Sequence, residues 1–481
     1  MDLNHDACYR ALSQRDSRFD GRFFTAVKTT GIYCRPVCPA RTPHSKNVAF
    51  YPTAAAAQEA GFRPCLRCRP ETAPDMGAWR GTSNTVARAL SLIELGALDR
   101  GDVEALAERL GVGERQLRRL FRQHLGASPV GVAQTRRVLL AKQLIHETRL
   151  PMAEIAFASG FGSVRRFNEA FSSLFERAPT ELRRLGGDDV AVKADGEFSL
   201  LLRYQPPYEW PEMLEFLRQR AIAGMERVSD GRYARAVLID GVQGSLTIEP
   251  GPGNTLRAGI RVSKLSIVPG IIARLRRVFD LAADPAAIAR HLSQDPILAP
   301  LVAKRPGLRV PGAWDGFELA IRAVLGQQIT VTAAVRLAAR LVAAYGQPMT
   351  TPVAGLSHFF PRPEVLANAD LTTLGMPKAR AATLSAVAAA LLDNPELFAN
   401  QGGLEEAVQR LRAIPGVGEW TAQYIALRQL REPDAFPASD LGVLRALADA
   451  QGLRPKTHEV LARAERWRPW RAYAAQHLWA A

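Results

Sequence analysis

The 481-residue chain carries 62 Lys and Arg against 47 Asp and Glu, a net charge of +15, and only eight of the 62 are lysine, which leaves 54 arginines. It has 47% apolar residues, enough for ordinary buried cores in several domains. It shows no run of about 18 apolar residues, and its start, MDLNHDACYRALSQRD, lacks a secretion signal's basic and apolar regions. These features exclude a transmembrane helix, place the chain in the cytoplasm and point to an anionic partner, since the arginine fork matches phosphate oxygens.

Four of the five cysteines fall at Cys34-x3-Cys38-x26-Cys65-x2-Cys68. Two close pairs separated by a loop grip a metal edge by edge, which is the pattern of a closed, structural Zn2+ site. A reducing compartment argues against disulfides. Cys8 lies outside the pattern and reads as a plain thiol.

The segments TTGIYCRPVCPAR and GFRPCLRCRP, within residues 1–75, resemble the N-terminal zinc domain of the Ada family. The resemblance implies that Cys34 accepts a methyl group from a DNA methylphosphotriester, and that Thr30, Arg41 and Arg63 contact phosphate. It also implies a switch. Four thiolates on zinc carry about −2, one methylation leaves about −1, and the weaker repulsion favours DNA.

Residues 83–185 read as helices. Val103, Leu106, Ala107 and Leu110 keep helical spacing, a glycine turn follows, and the next helix starts at Glu114. That helix has Leu117, Leu120 and Phe121 on one side and Arg115, Arg118, Arg119 and Arg122 elsewhere. A second such unit has Phe167, Phe171 and Phe175 as a core stripe, with Ser163, Arg165, Arg166 and Asn168 outward. Two helix-turn-helix units ending in APTELRR resemble the AraC-family DNA-binding domain, which implies two successive major-groove contacts. Arg184–Glu197 is polar and glycine-rich and reads as a linker. No cysteine follows Cys68, so the PCHR-type alkyl acceptor of the Ada family's other half has no counterpart.

FSLLLRY, RAVLIDGVQGSLTIEP and LRAGIRVSKL alternate as strands, and from Ile271 onward helical periodicity dominates. LRAIPGVGEWTAQYIALR holds Gly416 and Gly418, which suit a tight hairpin whose N–H groups approach a phosphate. Asp440 follows 22 residues after Gly418 and would also cap the helix LGVLRALADA. With YQPPYEW, RPGLRVPGAWDGFE, AVLGQQIT and RWRPWRAYAAQHLW, residues 198–481 resemble the AlkA-type glycosylases of the helix-hairpin-helix superfamily.

That resemblance implies excision of alkylated purines of the 3-methyladenine and 7-methylguanine type, with Asp440 as the catalytic carboxylate. It implies a pocket of Trp420, Tyr424, Trp479 and Phe216, whose faces attract cationic bases, and it puts Gln328 where the family has a wedging leucine. Trp420 stands where bifunctional relatives keep a lysine, so water is the expected nucleophile. Ser439 replaces the carboxylate that the family shows before the catalytic one.

The expected architecture is multidomain and mainly α. It comprises a small α+β domain holding zinc on four cysteines (1–75), an AraC-type tandem helix-turn-helix (80–185), a linker (186–197), an α+β subdomain (198–270) and a helix-hairpin-helix glycosylase domain (271–481). Expected partners are double-stranded DNA, alkylated or at promoters, and RNA polymerase, with no membrane and a monomeric chain. Two rivals remain: a transcription factor whose C-terminal half only grips DNA, and a repair enzyme with no regulatory role.

Overall fold

The computed structural model describes residues 3–74, 84–184, 197–399 and 403–481. Except for Glu197, the expected 186–197 linker lies outside them. The chain forms two compact units, one of residues 1–205 with 251–273, the other of 206–250 with 274–481.

The first unit begins with α1 (His5–Ser13) and strands β1 (Phe24–Val27), β2 (Ile32–Cys34) and β3 (Val48–Tyr51), followed by α2 (Ala54–Glu59) and β4 (Arg63–Pro64). The sheet order is β3-β1-β2-β4, antiparallel except that β4 runs parallel to β2. Because both strands point the same way, Cys34 at the end of β2 and Cys65 just after β4 emerge at one edge.

Helices α3 (Asn84–Glu94), α4 (Ala97–Arg100), α5 (Val103–Arg109), α6 (Glu114–Leu125), α7 (Pro129–Glu147), α8 (Met152–Ala158), α9 (Val164–Phe175) and α10 (Pro179–Arg184) follow. Asp102 caps α5 by accepting from Ala105 N at 2.9 Å, and Ser128 caps α7 by accepting from Gly131 N at 3.0 Å. The expected apolar stripes are core, for Leu117 and Phe121 are fully buried. Phe161, Phe167, Phe171 and Phe175 form a ladder with ring centroids 5.4, 4.8 and 5.3 Å apart. Strand β5 (Phe198–Arg203) belongs to this unit.

The second unit opens with α11 (Trp210–Arg220) and the meander β6 (Glu226–Ser229), β7 (Arg232–Ile239) and β8 (Val242–Pro250). Asp230-Gly231 and Asp240-Gly241 have positive φ at both residues, the two-residue turn whose twist matches paired strands. These turns set the register at Ser229↔Arg232 and Ile239↔Val242. Strand β9 (Thr255–Val262) belongs again to the first unit, where it pairs antiparallel with β5.

Next come α12 (Val268–Val278), α13 (Pro285–Leu292), α14 (Leu298–Lys304), α15 (Gly316–Leu325) and α16 (Val331–Tyr345). A short hairpin of β10 (Pro348–Val353) and β11 (Leu356–His358) interrupts the helical stretch. Then α17 (Pro363–Asn368), α18 (Lys378–Asp393), α19 (Leu404–Arg412), α20 (Glu419–Ile425), α21 (Leu441–Ala446), α22 (Thr457–Ala464) and α23 (Arg471–Trp479) complete the chain. Among the described residues no helix is long and apolar enough to cross a membrane.

Candidate active site and metal centre

The strand pairing draws the four cysteines together, with Cys65 N donating to Tyr33 O at 3.0 Å. The Sγ atoms of Cys34, Cys38, Cys65 and Cys68 all lie within 4.8 Å of one another. Sulfurs on a zinc tetrahedron of 2.3 Å bonds stand about 3.8 Å apart, so the set fits a tetrahedral site of four thiolates. Cys38, Cys65 and Cys68 are buried and Cys34 is half-buried. Arg35 braces the loop. Its N–H donates to Cys68 Sγ at 3.3 Å, and its buried guanidinium pairs with Asp20 and donates to Thr72 Oγ1 at 2.7 Å.

Arg41 and Thr30 are exposed and Arg63 is half-buried, all in the same module as the cysteines. Arg115, Arg118 and Arg119 are exposed on α6, as are Arg165 and Arg166 on α9. Arg118 pairs with Glu114 at 2.5 Å and Arg165 with Glu169 at 2.8 Å, both one helical turn apart and exposed. Such pairs contribute little and exchange readily for phosphate. Ser163 is half-buried and caps α9, accepting from Arg166 N at 3.2 Å.

In the second unit a cleft of about 1460 Å³ is lined by Phe216, Gln328, Gly416, Gly418, Trp420, Tyr424, Asp440 and Trp479, which brings the expected pocket residues together. Asp440 is the N-cap of α21, so the capping role foreseen for it is real. Its Oδ1 accepts from Gly442 N at 2.8 Å, Val443 N at 3.1 Å and Trp479 Nε1 at 2.7 Å. Its Oδ2 accepts from Trp420 Nε1 at 2.7 Å and, among the described residues, from no other donor. Oδ1 is saturated, whereas Oδ2 keeps acceptor capacity toward the cleft.

Trp420 stacks on Tyr424 at 5.2 Å, and Tyr424 meets Trp479 edge-on at 6.3 Å. The chain widens into a π turn at Ala426–Leu430, which carries Arg428 beneath these rings. Its guanidinium lies 4.5, 4.9 and 5.2 Å from the centroids of Phe216, Tyr424 and Trp479, and Arg220 lies 4.0 Å from that of Phe216. Burial pulls Arg428 down to about 10. Three of the four expected rings therefore already face a built-in cation.

Gly416 has φ +85, and a Cβ there would meet Thr383 Oγ1 at 1.9 Å, so only glycine fits. Gly418 meets no such limit. Gln328 has φ +58 and is exposed at the cleft.

Four family models match the chain: the metal-binding domain of Ada over residues 7–71, a helix-turn-helix domain over 106–185, the AlkA N-terminal domain over 199–315, and the HhH-GPD superfamily of base excision DNA repair proteins over 321–472. One relative, the probable bifunctional transcriptional activator/DNA repair enzyme AlkA of Mycobacterium tuberculosis, is 43% identical across the whole chain and 97% of its own length. This chain belongs to that family. DNA-3-methyladenine glycosylase 2 of Escherichia coli is 36% identical over 58% of this chain and 95% of its own length. The structure of a 3-methyladenine DNA-glycosylase from Archaeoglobus fulgidus shares the fold, with a TM-score of 0.52 and 23% identity over 58% of this chain and 97% of that one.

With the Ada-type metal domain and the cluster of four cysteines both present, the cofactor of this bifunctional AlkA-family chain is Zn2+. Sequence reading missed three residues of these sites. Arg35 lay unremarked inside the cysteine motif, and Arg428 reads as a surface arginine until the π turn buries it to 3% exposure. Gly442 passes as an ordinary helix residue, yet a Cβ there would lie 2.8 Å from Trp479 Cδ1.

Proposed function

We propose that the chain couples repair of two alkylation lesions to DNA-directed regulation. In the second unit Asp440 carries hydrolysis of the N-glycosidic bond of alkylated purines. As the C1′–N bond breaks, its electron pair leaves with the base and positive charge grows on the sugar. Oδ2, the carboxylate oxygen with spare acceptor capacity, stabilises that charge and orients the incoming water. Trp420 and Trp479 hold the carboxylate in place through their indole N–H groups. Trp420, which has no guanidinium neighbour among the described residues, offers the stacking face for the extruded base. No amine stands at position 420, so the enzyme is monofunctional and its product is an abasic site.

In the first unit Cys34, Cys38, Cys65 and Cys68 would hold zinc, whose positive charge keeps a coordinating thiol deprotonated. The Cys34 sulfur attacks the methyl carbon of a DNA methylphosphotriester. An S–C bond forms, the C–O bond breaks, and its electron pair stays on the phosphate as a diester anion. Thr30, Arg41 and Arg63 bind flanking phosphates. Arg115, Arg118 and Arg119 on one helix and Ser163, Arg165 and Arg166 on the other serve successive major grooves, with Ser163 acting mainly by fixing the helix start. RNA polymerase is the partner at promoters, and the protein works as a cytoplasmic monomer.

The observation that carries the reading is the carboxylate of Asp440, fixed by four N–H donors in an aromatic cleft. Purified zinc-loaded protein incubated with methylated duplex DNA tests it by counting free base and protein-bound methyl together. Asp440→Asn should lose the first and keep the second, and Cys34→Ala should do the reverse. A C-terminal half that only grips DNA would release no base, and borohydride should trap no covalent DNA adduct.

A further inference from the structure

Strand β5 has one edge paired with β9 and the other covered by the last turns of α7, all within the first unit. On the covered edge Leu201 N–H donates to Glu147 Oε2 at 3.0 Å, and Leu201 O accepts from Gln143 Nε2 at 2.9 Å. Gln143 Nε2 also donates to Glu147 Oε2 at 3.0 Å, so two side chains of one helix stand in for a neighbouring strand. The other oxygen of Glu147 accepts from Arg69 at 2.9 Å, and Arg69 Nε donates to Glu71 Oε1 at 3.0 Å. Glu71 Oε2 accepts from Lys142 Nζ at 2.6 Å, and Lys142 Nζ also donates to Cys65 O at 3.1 Å. A continuous chain of charged hydrogen bonds therefore runs from the cysteine cluster to the backbone of β5. Its members are sheltered, for Lys142 and Glu71 are buried and the Glu147 side chain is 9% exposed.

We propose that the metal centre is coupled to strand β5 through Arg69 and Glu147, so that holding zinc closes the outer edge of that strand. Arg69 is the link that the metal moves. It follows Cys68 directly and stands at φ +51, a conformation that side-chain-bearing residues keep only where their surroundings impose it. Drawing four sulfurs to one zinc fixes the Cys65–Cys68 turn and with it the backbone of Arg69. Without the metal Arg69 relaxes and its guanidinium leaves Glu147. A buried carboxylate that loses its cation is costly, so Glu147 turns away and the Leu201 N–H loses its acceptor. Strand β5 opens the stretch that matches the AlkA N-terminal domain, residues 199–315, so the state of the cysteine cluster is felt where that stretch begins. The coupling needs zinc on the four cysteines and neither methyl transfer nor base excision.

Amide hydrogen exchange in the full-length protein tests it, read at the peptide 198–205 with zinc bound and after its removal by a chelator under reducing conditions. In the native chain removal should speed exchange of β5 about tenfold or more, the effect of one charged hydrogen bond. Arg69→Gln with zinc bound should already exchange as fast as the zinc-free native chain, and losing zinc should then change β5 by less than about twofold. Glu147→Gln, which leaves the cysteine loop untouched, should likewise lose the zinc effect. A zinc-insensitive β5 in the native chain overturns the coupling. So does a zinc effect as large in either variant as in the native chain, which is what general loosening of the unit would give.

Discussion

One added methyl group asks whether Trp479 and Asp440 act as a unit. A Cβ on Gly442 would lie 2.8 Å from Trp479 Cδ1, 3.3 Å from its Nε1 and 3.0 Å from Asp440 Oδ1. Gly442 sits in the first turn of α21, where alanine is unstrained and gains about 1 kcal/mol of helix propensity over glycine. The backbone therefore accepts the change and the indole must give way. The 2.7 Å bond from Trp479 Nε1 to Asp440 Oδ1 is the contact most exposed to that shift. A hydrogen bond to a charged acceptor contributes about 1.5–3 kcal/mol. Its loss from the transition state slows the reaction by about ten- to 150-fold. Single-turnover release of a methylated purine by Gly442→Ala should fall by that factor, while thermal unfolding of the second unit changes by no more than about 3 °C. Unchanged release, or a loss that merely follows unfolding, refutes the reasoning.

Trp420→Phe removes the indole donor to Asp440 Oδ2 and keeps a ring on Tyr424, so release should slow by about tenfold while affinity for an abasic duplex stays within about threefold. A native release rate would contradict the positioning role. Lys142 is fully buried and donates to Glu71 Oε2 at 2.6 Å and Cys65 O at 3.1 Å. Lys142→Met leaves Glu71 to Arg69 alone and should cost the first unit about 3 kcal/mol in urea unfolding, and an unmoved midpoint would oppose this. Burial, then the charge of Arg305, pulls His477 from its ordinary 6.5 down to about 4. Below pH 6.5 the unfolded chain takes up the proton first, so about 3 kcal/mol of stability present above 6.5 is lost as pH falls to 4. His477→Gln should flatten the urea midpoint across that window, and equal slopes in both proteins would sink the assignment.

The features legible in the sequence were those written in local spacing. Two cysteine pairs, two helical stripes before glycine turns, and strand-like alternation each depend on neighbours within a few residues. Asp440 was legible twice, as a cap and as the carboxylate of a recognised motif; the cap is observed, with Oδ1 closing the helix, and the proposed catalytic role falls to Oδ2, which accepts from Trp420. What stayed hidden depends on distant partners. Lys142 carries no local signal of its burial, since Glu71, far back in the chain, meets it in the core. Arg428 follows an apolar helical pattern, and its place under three rings comes from a π turn that periodicity cannot register. The need for glycine at 442 is set by Trp479, and the need at 416 by Thr383. Gly416 and Gly418 looked equivalent in the motif, yet only the first is sterically required. Ser163, expected as an outward reader, is also the cap of α9, since caps and readers occupy the same first turn.

The central claim is that the Asp440 carboxylate stabilises charge on the sugar. The rate constant for base release from a methylated duplex, at saturating protein and on a single turnover, tests it most directly. Asp440→Asn keeps an oxygen for α21 and Trp479 but sets an NH2 against the indole N–H of Trp420, so both the charge and the bracing of Trp420 are lost. The account predicts a fall of about a thousandfold or more. Release by Asp440→Asn within about tenfold of the native rate would contradict it.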